Sequence, residues 1–126
     1  MSYTNTSHCG NDHDQWLKSI SFYDDDLDVL ESRLTEIVKK NNVHDAMAGV
    51  EHFQNQFIIQ RNNIYGLKHS INKHAVSVAA DARAHAGKMD HYFVDEHGNL
   101  KAQVESFEKV MNDLRHEFSL FLAKWM

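Results

Sequence analysis

The chain has 126 residues, a net charge of −5, no proline and five glycines. That length fits one domain, and the negative charge argues against a general affinity for nucleic-acid backbones or anionic membrane surfaces. Proline and glycine break helices and make tight turns, so a chain this poor in both points to long helices and away from sandwiches and barrels.

Residues 1–11 are polar and aperiodic, and read as a disordered tail ahead of a single bundle domain over 12–126. They lack the apolar stretch of a secretory signal. No apolar run reaches the roughly 18 residues of a membrane span. The cytoplasm is therefore the default expectation. Cys9, the one cysteine, cannot form an internal disulfide or a Cys-x-x-Cys metal motif.

The first predicted helix opens at Asp12, an N-cap with Gln15 three residues on to complete a capping box. Its apolar residues fall at Trp16, Ile20, Tyr23, Leu27, Leu30, Leu34 and Ile37. These alternating steps of four and three bury one seam of a helix in a bundle. Lys39 and Lys40 suit the negative end of the helix dipole and mark its stop.

Asn42 is the expected cap of the second helix. Its seam runs through Val43, Val50, Phe53, Phe57, Ile64, Leu67, Ile71 and Val78, with polar Gln60 and His74 at seam positions. The phase continues across Gly66, and one mid-helix glycine costs only about 1 kcal/mol relative to alanine. The expectation is one helix from about Val43 to about Ala84. Its alanine-rich end, Ala75 to Ala86, should then project, or pack on something outside this chain.

His85 to Asn99 carries Gly87 and Gly98 and is read as a connection. The third helix is placed from near Asn99 to the C-terminus on the seam Leu100, Val104, Phe107, Met111, Leu114, Phe118, Phe121 and Trp125. The fold expected is all-α: an up-down-up bundle of three long antiparallel helices. The alternative is a four-helix bundle with a break near Gly66 and a ferritin-like or hemerythrin-like outline.

Ten histidines raise the question of metal, because histidine and carboxylate are the usual ligands. A di-iron carboxylate site needs Glu-x-x-His on two helices. The nearest match is Asp113-x-x-His116, with no second copy, and the phase turns His116 to solvent. His52 and His69 also lie off the seam. His74 alone occupies the buried stripe, where a hydrogen-bonded core histidine is preferred to a ligand. His74, Asp113 and His116 are thus the metal candidates weighed, and no metal or cofactor is assigned. Asp90, His91, Asp95, Glu96 and His97 are read as a solvated loop, and Asp24, Asp25, Asp26 and Asp28 as a solvated face.

No Gly-x-Ser-x-Gly, Walker-type or Gly-x-Gly-x-x-Gly pattern occurs, so no catalytic residue is assigned and the chain is not read as an enzyme. Charge is absent from His52 to Gln60. Ile58, Ile59 and Tyr65 on the second helix lie off the seam, as do Phe22 on the first helix and Leu120 on the last. Charge depletion with retained aromatics and amides is the composition of an interface core. The functional expectation is accordingly a non-enzymatic interaction bundle that self-associates, a dimer being favoured. The alternative is a metal-binding protein of ferritin-like or hemerythrin-like outline.

The stretch Glu51-His52-Phe53-Gln54-Asn55-Gln56-Phe57, with Leu114-Arg115-His116-Glu117-Phe118 and Lys124-Trp125-Met126, resembles a group of short bacterial helical proteins with no assigned activity. The likeness covers most of the chain from Trp16 onward, and the polar Cys-containing tail departs from it. The resemblance implies a helical fold and carries no site residues.

Overall fold

The computed structural model describes residues 3–5, 7–85 and 88–126, with side chains at 10–85, 90 and 92–126. It is an all-α bundle of three helices: α1 (Ser7–Lys40), α2 (His44–Ala84) and α3 (His91–Trp125). Two three-residue strands, β1 (Tyr3–Asn5) and β2 (Lys88–Asp90), pair antiparallel with Tyr3 opposite Asp90. No described helix is long and apolar enough to cross a membrane.

The topology follows from which residues meet. His13 reaches His74 while Arg61, earlier in α2, reaches Asp24 and Glu31, so α1 and α2 run antiparallel. Phe53 packs on Phe118 while His74 meets Phe93, so α2 and α3 do too. Ser19 donates to Glu108 at 2.7 Å and Tyr23 to Asn112 at 3.0 Å, which makes α1 and α3 parallel. The up-down-up arrangement is therefore in place. α2 passes through Gly66 as helix, which removes the four-helix alternative.

The core follows the predicted seam, except that Val43 is exposed and Trp16, Leu30, Phe121 and Trp125 are only partly buried. Ile20, Leu27, Ile37, Val50, Phe57, Ile71, Val104, Met111 and Phe118 are all buried. Burying a large apolar side chain is worth roughly 1.5–3 kcal/mol, so these stripes hold the helices together. The turn end of α1 is closed by Asn41, whose Nδ2 donates to the carbonyls of Ile37 (3.2 Å) and Trp125 (2.9 Å). Gly49 faces α3, where a Cβ would overlap the Phe121 ring.

Four local expectations are corrected. Asn42 does not cap α2; Val43 holds the cap position in extended conformation, with no side-chain cap bond. α1 begins at Ser7, so Asp12 is inside the helix and not its cap. Of the tail expected over 1–11, Tyr3–Asn5 form β1 and 7–11 are helical, while Met1, Ser2 and Thr6 lie outside the described residues. α3 starts at His91, eight residues before Asn99, because the Asp90 side chain accepts from Tyr92 N at 2.9 Å and caps it.

That earlier start explains the long α2. One face of the alanine-rich end packs on this chain's own α3, with Phe93 and Val94 against buried Val78, while Val76, Ala79 and Ala80 stay exposed. Residues 86 and 87, which the sequence reading counts in that end and in the connection, lie outside the described residues.

Candidate metal centre

The predicted solvated acidic face has a structural task. Arg61 on α2 bonds Asp24 at 2.7 Å, Glu31 at 3.2 Å and Asp28, and Lys68 lies 3.6 Å from Asp24. The Glu31 bond leads the contacts that push the Arg61 pKa up against its partial desolvation. These carboxylates latch α1 to α2. The groove of about 630 Å³ between α2 and α3, beside Gly66 and Ser106, has no titratable side chain in its lining.

Chemistry gathers instead at the end of the bundle beside the strand pair. Each helix places one histidine on the seam there: His13 from α1, His74 from α2 and His97 from α3. One ring nitrogen from each lies within 4.8 Å of the others. His74 and His13 are only 1% and 5% exposed, so the pair is desolvated. Among the described residues this is one group with metal-ligand geometry.

The hydrogen bonds fix the proton positions. His74 Nε2 lies 3.1 Å from the Phe93 carbonyl, which can only accept, so Nε2 carries the hydrogen. In the neutral ring Nδ1 is then an acceptor, and His13 Nε2, 2.8 Å away, donates to it. The Glu96 carboxylate stands 3.6 Å from His74 Nε2 on the same side as that carbonyl. His97 Nε2 donates to Asp12 Oδ2 at 2.9 Å. Trp16 lies against His97, ring centroids 4.7 Å apart, and walls the cluster with an apolar face.

Burial pushes the His13 imidazole down to about 4, with His74 and His97 adding to the effect against weaker opposition from Asp12 and Asp14. At neutral pH His13 is therefore uncharged, the form that binds a metal. Two crevices flank the cluster. One of about 460 Å³ touches His74, Phe93 and Glu96; another of about 550 Å³ touches His13, Asp14 and Leu17.

Of the candidates named from sequence, only His74 is in this cluster. Asp113 and His116 are exposed on α3, and Asp113 pairs with Lys109 at 3.0 Å. His97 and Glu96 belong to a helix rather than the solvated loop expected for them; the side chain of His91 lies outside the described residues, as do those of His8 and Cys9. Sequence reasoning missed His13 and Asp12. The signal was present: His13 stands three residues before Trp16 and His97 three before Leu100, each extending its seam by one step. Phe22, Ile58, Ile59, Tyr65 and Leu120 are exposed, from 47% for Ile59 to 78% for Tyr65. Comparison with known proteins brings no family model, no curated relative and no solved structure into match with the chain.

Proposed function

We propose that this chain is a metal-binding helical bundle that holds one transition-metal ion among His13, His74 and His97. The observation carrying this reading is the convergence of three ring nitrogens, one per helix, within 4.8 Å at a largely buried position. A mere cluster of core histidines does not need that. Burying three imidazoles side by side costs desolvation and, on protonation, repulsion, and metal ligation offsets both. The all-nitrogen donor set suits zinc, copper, nickel or cobalt, and disfavours magnesium and calcium, which prefer oxygen.

The cluster has to rearrange slightly to take the ion, one pair opening and any separation near 4.8 Å closing. Metal–nitrogen bonds of about 2.0–2.1 Å in tetrahedral geometry set neighbouring nitrogens about 3.3 Å apart. The His13–His74 separation of 2.8 Å must widen by about half an ångström. Elemental analysis of protein prepared without a histidine tag, with chelator competition, tests the reading. Near-stoichiometric zinc, copper, nickel or cobalt that is lost in His97→Ala supports it; a folded wild type that retains no metal at micromolar concentration overturns it.

A second reading, self-association as a dimer, is favoured by the exposure of Ile58, Ile59 and Tyr65 on one charge-poor stretch of α2, with Phe22 and Leu120 exposed on the flanking helices. Symmetry counts each buried residue twice, which helps offset the cost of association. Light scattering tests it: a dimer that Ile58→Glu dissociates supports the reading, and a wild type monomeric at high micromolar concentration removes it. The bundle needs no catalytic role for either reading.

A further inference from the structure

An imidazole can meet a metal through either ring nitrogen, and the partner of the other nitrogen decides which. Two of the three histidines here already have that decision made by an acceptor-only group. The Phe93 carbonyl holds the hydrogen of His74 on Nε2. The Asp12 carboxylate, 2.9 Å from His97 Nε2, does the same for His97. Both rings in their neutral forms then carry the lone pair on Nδ1.

Resting on the metal reading above, we infer that Asp12 is the positioning residue of the site: its carboxylate fixes His97 to present Nδ1 to a divalent transition metal, while His74 enters through Nδ1 and His13 through Nε2. Asp12 precedes His13 in α1, so one helical turn supplies both a ligand and the group that orients a ligand on α3. His13 Nε2 already faces His74 Nδ1, the two atoms between which the ion must come. To ligate, His13 exchanges its Nε2 proton for one on Nδ1, with no net change in charge. Three neutral imidazoles leave the ion's double positive charge uncompensated. Asp12 behind His97 and Glu96 behind His74 place two carboxylates one ring away from it.

The arrangement has a spectroscopic signature that a merely structural carboxylate would not produce. In zinc-loaded wild type labelled with nitrogen-15, long-range proton–nitrogen correlations should show His74 and His97 protonated at Nε2 and His13 protonated at Nδ1. Asp12→Asn should weaken zinc about 10- to 100-fold in competition with a chromophoric chelator. Asp12 is part-exposed, so the helicity of the metal-free variant should match wild type. A zinc-loaded His97 protonated at Nδ1 overturns the inference, and so does an Asp12→Asn variant that binds zinc as tightly as wild type. A wild type that takes up no zinc sinks the site and this inference together, whereas tight binding with the opposite tautomer sinks this inference alone.

Discussion

The two ends of the bundle are built on one seam and filled with opposite chemistry. At the turn between α1 and α2, the seam positions hold Phe53, Phe57 and Phe118, rings meeting at centroid distances of 5.1 and 5.3 Å. At the other end the same steps of three and four bring His13, His74 and His97 to the axis. The aromatic end gains stability from burial alone and needs no partner. The histidine end buries polar rings, which burial by itself disfavours. A bundle that needed only to fold would carry hydrocarbon at both ends. The contrast is the ground for proposing the metal site where the seam keeps its geometry and changes its residues.

That contrast can be broken from either side. The largest effect should come from the aromatic end. Phe118 is fully buried, and Phe118→Ala should destabilise the fold by about 3–5 kcal/mol. Chemical denaturation should show that loss equally with zinc or with chelator. A loss that zinc selectively reverses would mean the two ends are not separable.

The histidine end should answer to pH. His13 falls from 6.5 to about 4 in the folded chain. Between those values the unfolded chain binds more protons than the folded one, so stability is complete above about pH 6.5. It declines as pH falls toward 4, by about 3 kcal/mol in all for the metal-free protein. Denaturation midpoints at a series of pH values check this, and His13→Gln should flatten the slope. An undiminished slope in that variant would place the titration elsewhere.

Zinc should act at the same end with comparable size. At a hundred times its dissociation constant, a ligand that binds only the folded state adds about 2.7 kcal/mol. Thermal melts with and without zinc measure it, and His97→Ala should abolish the gain while leaving the metal-free melt within a few degrees. Retention of the full gain in that variant would move the ion away from His97.

Between the ends, Gly66 offers the smallest test. A Cβ there meets nothing within 4 Å, and the residue lies mid-helix. Gly66→Ala should stabilise the chain by about 1 kcal/mol without changing zinc affinity. Destabilisation instead would mean that α2 is not helical at that point.

The fold was largely legible because hydrophobic phase is a local signal. The seam through Phe57, Ile64, Leu67 and Ile71 carried α2 across Gly66, and the structure keeps it helical. The helix starts were legible less well, for a physical reason. His13 and His97 occupy seam positions, and a polar residue on a seam hides the period from an apolar count. α1 and α3 therefore read as shorter than they are, α3 by the eight residues from His91, and His97 falls in the expected connection. Asp12 reads as a cap because a carboxylate before an apolar run has that local signature. Its bond to His97 spans most of the chain and has no local trace.

Where the ion sits is measured most directly by anomalous diffraction from crystals of the protein loaded with zinc. One strong peak per chain is expected within bonding distance of nitrogens of His13, His74 and His97, with His97 Nε2 still against Asp12. A peak at Asp113 and His116 instead, or no peak at the histidine end in zinc-saturated crystals, would contradict it.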